Sequence, residues 1–373
     1  MIRPALAILA AVSALALVGA QSALAHGLQG SRGGVVFVQT NEPSGNKIDV
    51  FDRGSDGRLA LAGTYPTGGL GGVAAPGAES DHLASQGSLA LAEGGKTLIA
   101  VNAGSDTVTS FRVHGDRLQL RNIVASGGQF PASVAVRDRL VYVLNSGGTG
   151  IVQGFLIRGS RLVSISGSAR SLGLANGDPP NFLTAPGQAG FTPDGSKLLV
   201  TTKASTSSID VFSVGPDGRL SASPVVNPSA TPVPFAFTFG SGRLVDGEAG
   251  ASSVTTYAID AGGTLSDPRS ATDGQAALCW ILRIGDVYYV SNTGSNDLSS
   301  FTVDSSGQPA LLQAIAATTN PGPIDLATSG GYLYAETGMN GTVDEFAVNS
   351  DGTLTPIGTV TGLPPGLEGI AAS

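Results

Sequence analysis

The chain has 373 residues, with 54 Gly and 21 Pro; 41% of its residues are hydrophobic and only 13% are charged. A chain so apolar and so weakly charged is not intrinsically disordered, and its composition is not that of a coiled coil or helical bundle. The formal net charge of −8, without any Lys/Arg cluster, argues against nucleic acid as a partner.

From the N-terminus, residues 1–25 read as a secretory signal peptide. Arg3 supplies the positive start, residues 5–20 are almost wholly apolar, and Ala23-Leu24-Ala25 is an A-x-A cleavage site. The mature chain is expected to begin at His26 and to form one domain over residues 26–373, periplasmic or extracellular. Nothing further along reaches the length of a membrane span. Cys279, the one cysteine, has no partner for an intrachain disulfide, and a thiolate zinc site needs more sulfur. No metal site or cofactor motif is read, and the oligomeric state is left open.

An aromatic flanked by β-formers then recurs at Phe51, Phe111, Phe155, Phe212, Tyr257, Phe301 and Phe346, with spacings of 60, 44, 57, 45, 44 and 45. The two long spacings hold insertions, at residues 69–85 (ending Glu79-Ser80-Asp81-His82) and 172–185. Each unit has four strand-like runs, and turns such as Asp56-Gly57, Asp217-Gly218 and Asp351-Gly352 supply hairpin geometry. Those Asp-Gly pairs lack the ligand spacing of a calcium loop. The pattern predicts an all-β, seven-bladed β-propeller of four-stranded antiparallel blades. The first unit lacks its innermost strand, and residues 367–373 look like it, so the C-terminal strand should close the first blade.

Functional groups of a propeller gather around the central channel. Counting nine or ten residues back from each aromatic gives Glu42, Asn102, Asn145, Lys203, Glu248, Asn292 and Glu336, all polar in a chain poor in charge. The innermost strands add Gln86, Ser88, Ser133, Gln188, Cys279, Trp280, Asp325 and Glu368. Taken singly, each of these also fits a cap on turn backbone; taken as a ring, they suggest a polar, acidic channel. Among the histidines, His82 lies in the first insertion and could reach the channel, whereas His114 sits at a hairpin turn and His26 at the mature terminus.

The repeats resemble the seven-bladed lactonase family of 6-phosphogluconolactonase-like proteins and carboxymuconate cyclases. The resemblance runs from about Gly33 to Ser373, best in Phe191-Thr192-Pro193-Asp194-Gly195, Val101-Asn102-Ala103-Gly104-Ser105, Val290-Ser291-Asn292-Thr293-Gly294 and Cys279-Trp280. It implies a channel lined by His, Arg and Glu. Here the blade-four Arg and His positions hold Gly187 and Gln188, the following Glu position holds Lys203, and the blade-two His-Ser pair reads Gly87-Ser88.

Two readings of function follow. In the first, the chain is an exported lactone hydrolase or lactonising enzyme: Glu248 or Asp325 activates water, and Lys203 or the ring Asn side chains steady the oxyanion. Gln86, Asn102, Asn145, Gln188, Trp280, Asn292 and Glu336 then bind the small molecule. In the second, a non-catalytic propeller binds a small ligand, a glycan or an envelope protein. Lys203 and Glu248 each stand nine residues before their aromatic, Phe212 and Tyr257, so they are expected side by side, within ion-pair reach.

Overall fold

The computed structural model describes Met1, residues 33–75 and residues 78–373, and the propeller occupies Gly33–Ser373. The signal peptide and His26 lie outside the described residues. Among the described residues the strands form seven sheets. Blade four is representative: Gln188–Phe191 lies innermost, followed outward by Lys197–Thr201, Ser208–Ser213 and Val225–Pro228, each antiparallel to the last. Blade three carries an additional short edge strand, Arg170–Ser171, which shares Ile151–Arg158 with Arg161–Ser164. The innermost strands touch their neighbours all the way round, so the ring is closed.

Closure comes from the C-terminus. Ile370–Ala372 pairs antiparallel with Val35–Gln39, matching Val38 to Ile370 and Val36 to Ala372, inside the blade that holds Phe51. Two more backbone bonds, Gln39 N–H to Gly369 C=O at 2.8 Å and Glu368 N–H to Gln39 C=O at 3.1 Å, extend the seam. A free edge on the first blade would be a template for aggregation, and the last strand covers it.

The repeated aromatics explain why the blades adhere. Each is at most 2% exposed, and each fills the gap toward the preceding blade. Phe111 packs with Phe37 and Val50 of blade one, Phe212 with Tyr142 of blade three, and Phe301 with Phe235 and Val245 of blade five. Phe51 completes the circle against Tyr334 and Val343 of blade seven. A large flat ring in every gap supplies most of the inter-blade apolar burial. At the seam the Tyr334 hydroxyl also donates to Gly57 C=O at 2.7 Å. Gly57 has φ +85°, and a Cβ there would sit 2.2 Å from the Tyr332 ring, so this turn accepts only glycine.

Removing the closing strand tests the seam. Leu367 and Ile370 are 0% and 5% exposed, and burying two such side chains contributes roughly 3–6 kcal/mol. A chain ending at Pro365 should melt well below the full chain in a calorimetric scan and aggregate on refolding; an unchanged melting temperature would show the seam to be dispensable.

Candidate functional site

The first insertion does more than lengthen a loop: residues 81–87 run across the channel and bond to the blades around it. Leu83 N–H donates to Glu368 Oε2 at 2.5 Å, beside the closing strand. Ala84 C=O accepts from Lys203 Nζ of blade four at 2.6 Å. Ser85 C=O accepts from Trp280 Nε1 of blade six at 3.0 Å, and the Ser85 hydroxyl donates to Ala132 C=O of blade three at 2.8 Å. The Gln86 amide exchanges two bonds with the Ile281 backbone of blade six, at 3.2 and 3.0 Å. Gly87 N–H reaches Asp325 of blade seven at 3.3 Å. The segment is a plug.

On one side of the plug lies a hollow of about 360 Å³ whose lining includes Asp81, Phe182, Leu183, Lys203, Val233, Phe235, Cys279 and Trp280. Its walls are mostly apolar, with the Phe235 and Trp280 rings tilted against each other at 4.8 Å between centroids. The polarity is concentrated at Lys203 and Asp81. Lys203, 2% exposed, donates to Ala84 C=O and, at 2.8 Å, to Phe182 C=O. Its ammonium also lies over the Phe235 and Phe182 rings, 4.9 and 5.3 Å from their centroids. Burial drops its pKa to about 8, opposed chiefly by the charge of Asp81.

Asp81 is 2% exposed, and its carboxyl meets the Glu368 carboxyl and the backbone of Ala84 and Ser85. Burial pushes it up to about 6, with the Lys203 charge and a bond to the Glu368 carboxyl pulling the other way. Glu368, fully buried, is raised well above the ordinary range by burial and then by the Asp81 charge. Two carboxylates cannot bond to each other, so the pair shares one proton, held on Glu368, while Asp81 carries the charge that faces Lys203. Glu336 and Asp325 adjoin this pair. Burial raises Glu336 well above its ordinary value, with the Asp325 charge adding to the rise, and burial pushes Asp325 up to about 7.

Of the ten site residues expected from the sequence, Lys203 and Trp280 line the hollow and the other eight do not. The expected Lys203–Glu248 ion pair does not form. The ion pairs among the described residues are Lys47–Glu42, Arg219–Asp217, Arg243–Asp267, Arg269–Asp267 and Arg283–Asp286. Glu248 instead accepts from the hydroxyls of Ser229, Thr231, Ser253, Thr255 and Tyr257. It is enclosed between blades four and five.

The reason is a one-residue shift in register. Asn102 opposes Thr107 and clamps it and Thr109 at 3.1 and 2.9 Å; Asn292 opposes Asp297 and clamps it and Ser299 at 2.8 and 2.7 Å. Glu248 opposes Ser253 and occupies the same position. Asn145 caps Ile151 C=O at 3.1 Å in blade three. In blade four the corresponding residue is Thr202, bonded to Ser208, because that hairpin is one residue longer. Lys203 is therefore one past the clamp and Glu336 one before it, and a step of one residue turns a side chain to the other face. Gln86 and Gln188 bond inner-strand backbone, Gln188 Oε1 accepting from Phe237 N–H at 2.6 Å. Asp325 accepts from Leu326 N–H at 2.9 Å as well as from Gly87.

Asp81, Phe182 and Phe235 are among the hollow residues that counting from the aromatics missed. The signal for Asp81 and Phe182 was their place in the two insertions. His82 is half-buried beside Gly366, outside the hollow lining, and burial lowers its pKa.

With this geometry in place, the class is that of the seven-bladed β-propellers. The chain is similar to a Bacteroides fragilis protein described as a "putative 6-phosphogluconolactonase", at TM-score 0.70 and 17% identity, covering 92% of this chain and 98% of that one. It is also similar to a periplasmic gluconolactonase of Pseudomonas aeruginosa, at TM-score 0.66 and 19% identity, covering 90% and 98%. A Bacteroides uniformis protein with the same description as the B. fragilis one has TM-score 0.66 and 19% identity, covering 90% and 99%. No family model matches the chain, and no curated protein matches it. At these identities the likeness establishes the fold.

Two substitutions separate clamp from channel. Asn292→Ala removes two buried bonds and should cost about 1–3 kcal/mol in denaturant unfolding, without altering ligand binding in the hollow. Glu336→Gln keeps the acceptor for Gly369 N–H, 2.9 Å in the native chain, and abolishes an ionisation. A carboxyl whose folded pKa is raised stabilises the fold at low pH and loses that contribution as pH rises above its ordinary 4.5. The variant's melting temperature should fall less than the wild type's between pH 5 and pH 8. Parallel curves would show that Glu336 carries no such linkage.

Proposed function

We propose that this chain is an exported lactonase that opens a small lactone in the hollow, with Asp81 as general base and Lys203 as the group that polarises the carbonyl. The observation that carries the reading is a buried carboxylate and a buried ammonium that line one apolar hollow. Two of the three protons on Lys203 Nζ are held by the Ala84 and Phe182 carbonyls, which leaves one for a substrate oxygen. Asp81 accepts a proton from water as that water attacks the lactone carbonyl carbon. The oxyanion forms against Lys203, the ring C–O bond breaks, and the departing alkoxide takes the proton back from Asp81. Glu368 acts as a positioning residue that keeps Asp81 ionised by retaining the shared proton. Glu248 has no place in this scheme, since hydroxyl donors already occupy its oxygens.

The similar proteins described as lactonases support the reaction class, and the one described as periplasmic supports export. No described helix is long and apolar enough to cross a membrane. Release of residues 1–25 would give a mature chain starting at His26. N-terminal mass analysis of the exported fraction checks it, and an intact Met1 there would refute it.

The base must be ionised and the ammonium protonated. Activity (kcat/KM) should therefore rise through about pH 6 and fall through about pH 8. Asp81→Asn should reduce turnover by about a hundredfold or more and abolish the acidic limb. The emission of Trp280, the one tryptophan, reports whether the variant keeps its plug in place. Undiminished turnover in a folded Asp81→Asn protein would remove Asp81 from the mechanism.

A further inference from the structure

Granting the lactone-opening reading, we propose that the substrate's body is uncharged and apolar: a lactone bearing a hydrocarbon ring or chain, in place of a phosphorylated or polyhydroxy sugar lactone. The walls of the hollow carry it. Phe182, Leu183, Val233, Phe235, Ala277 and Trp280 surround the space. The polar side chains of the lining are few and mostly committed. Thr293 donates its hydroxyl to Pro323 C=O at 2.8 Å. Cys279 is buried, and burial pushes its thiol far up, leaving a neutral, weakly polar group. Asp81 and Lys203 remain, and the reaction uses both.

A sugar lactone would bring hydroxyls into a space where no further side chain can pair with them, each at a cost of order 1–3 kcal/mol. A phosphate would need cations, and Lys203 is the single cation in the lining. Two backbone carbonyls already hold it, and the Asp81 carboxylate beside it would repel a dianion. Aromatic walls reward an apolar body instead. At about 30 Å³ per water, a hollow of about 360 Å³ suits a fused bicyclic or alkyl-substituted δ-lactone. Leu183, 60% exposed in the second insertion, extends the apolar wall outward.

The experiment compares hydrolysis of dihydrocoumarin and δ-decalactone with that of glucono-1,5-lactone and its 6-phosphate, on full-length mature protein. It adds binding of an alkyl-substituted δ-lactam, a non-hydrolysed mimic, read by Trp280 emission. Expected is a kcat/KM advantage of more than about tenfold for the apolar lactones. Leu183→Asp should narrow that advantage, chiefly by raising KM for the apolar lactones. Faster turnover of either sugar lactone overturns the inference and leaves the hydrolase reading standing. If no lactone is turned over but the lactam shifts the emission, the hydrolase reading falls and the apolar preference survives. If neither occurs, both fall.

Discussion

The structure depends on an irregular segment laid across the channel of a ring. Residues 81–87 take bonds from blades three, four, six and seven and from the residues before the closing strand. A seven-bladed ring leaves an axial space lined by edge backbone, and that backbone must be paired or hydrated. The plug pairs it with protein. Gln86 behaves as a piece of strand, offering its amide to both polar groups of Ile281. Gln188 accepts one such bond, from Phe237 N–H. Both glutamines stand on the inner side of the ring, Gln188 where the family pattern suggests chemistry, and they serve as substitutes for a missing ladder.

The plug also fixes the electrostatics. It carries Asp81 into a region already holding Glu368, Glu336 and Asp325, and none of the four has a cation within ion-pair contact among the described residues. Four adjacent charges in a low-dielectric channel would be prohibitive, so most of the group is held neutral at moderate pH. The exception is the carboxyl nearest Lys203, which draws the remaining charge to the side facing the hollow. Asp246 repeats the principle between blades five and four: fully buried, without partners, and raised by burial and by the Glu248 charge.

How much of this was legible in the sequence follows from what each signal encodes. The seven aromatics are spaced by the blade, and each occupies an equivalent gap, so blade number, strand order and the closing strand could be read directly. The clamp at the end of the second strand is also a repeat, but its register is set by hairpin length. Counting back nine or ten residues merges two neighbouring positions that face opposite ways. Asn102, Asn292 and Glu248 belong to the clamp, whereas Lys203 and Glu336 lie one residue off it. A single added residue in the blade-four hairpin, with Lys203 at φ +47°, separates the two. Asp81, Phe182 and Leu183 come from the insertions, where no periodicity exists to count.

The same backbone device shapes the wall. The residue just before the innermost strand has positive φ in blades three, five and six, at Phe130, Val233 and Ala277 (φ +55°, +63° and +59°). For a β-branched residue such as Val233 this conformation is costly, of order 1–3 kcal/mol. Glycine or asparagine at that position would relieve it. Neither would present an apolar side chain at the hollow, where Val233 and Ala277 meet Phe235 and Trp280. The ring tolerates the strain because the strand beyond is anchored on both sides, Pro234 pairing with Glu248 and Phe237 with Gln188. Rigidity supplied by the blades is thus what allows a turn residue to be chosen for the surface it offers a ligand in place of its own conformational ease.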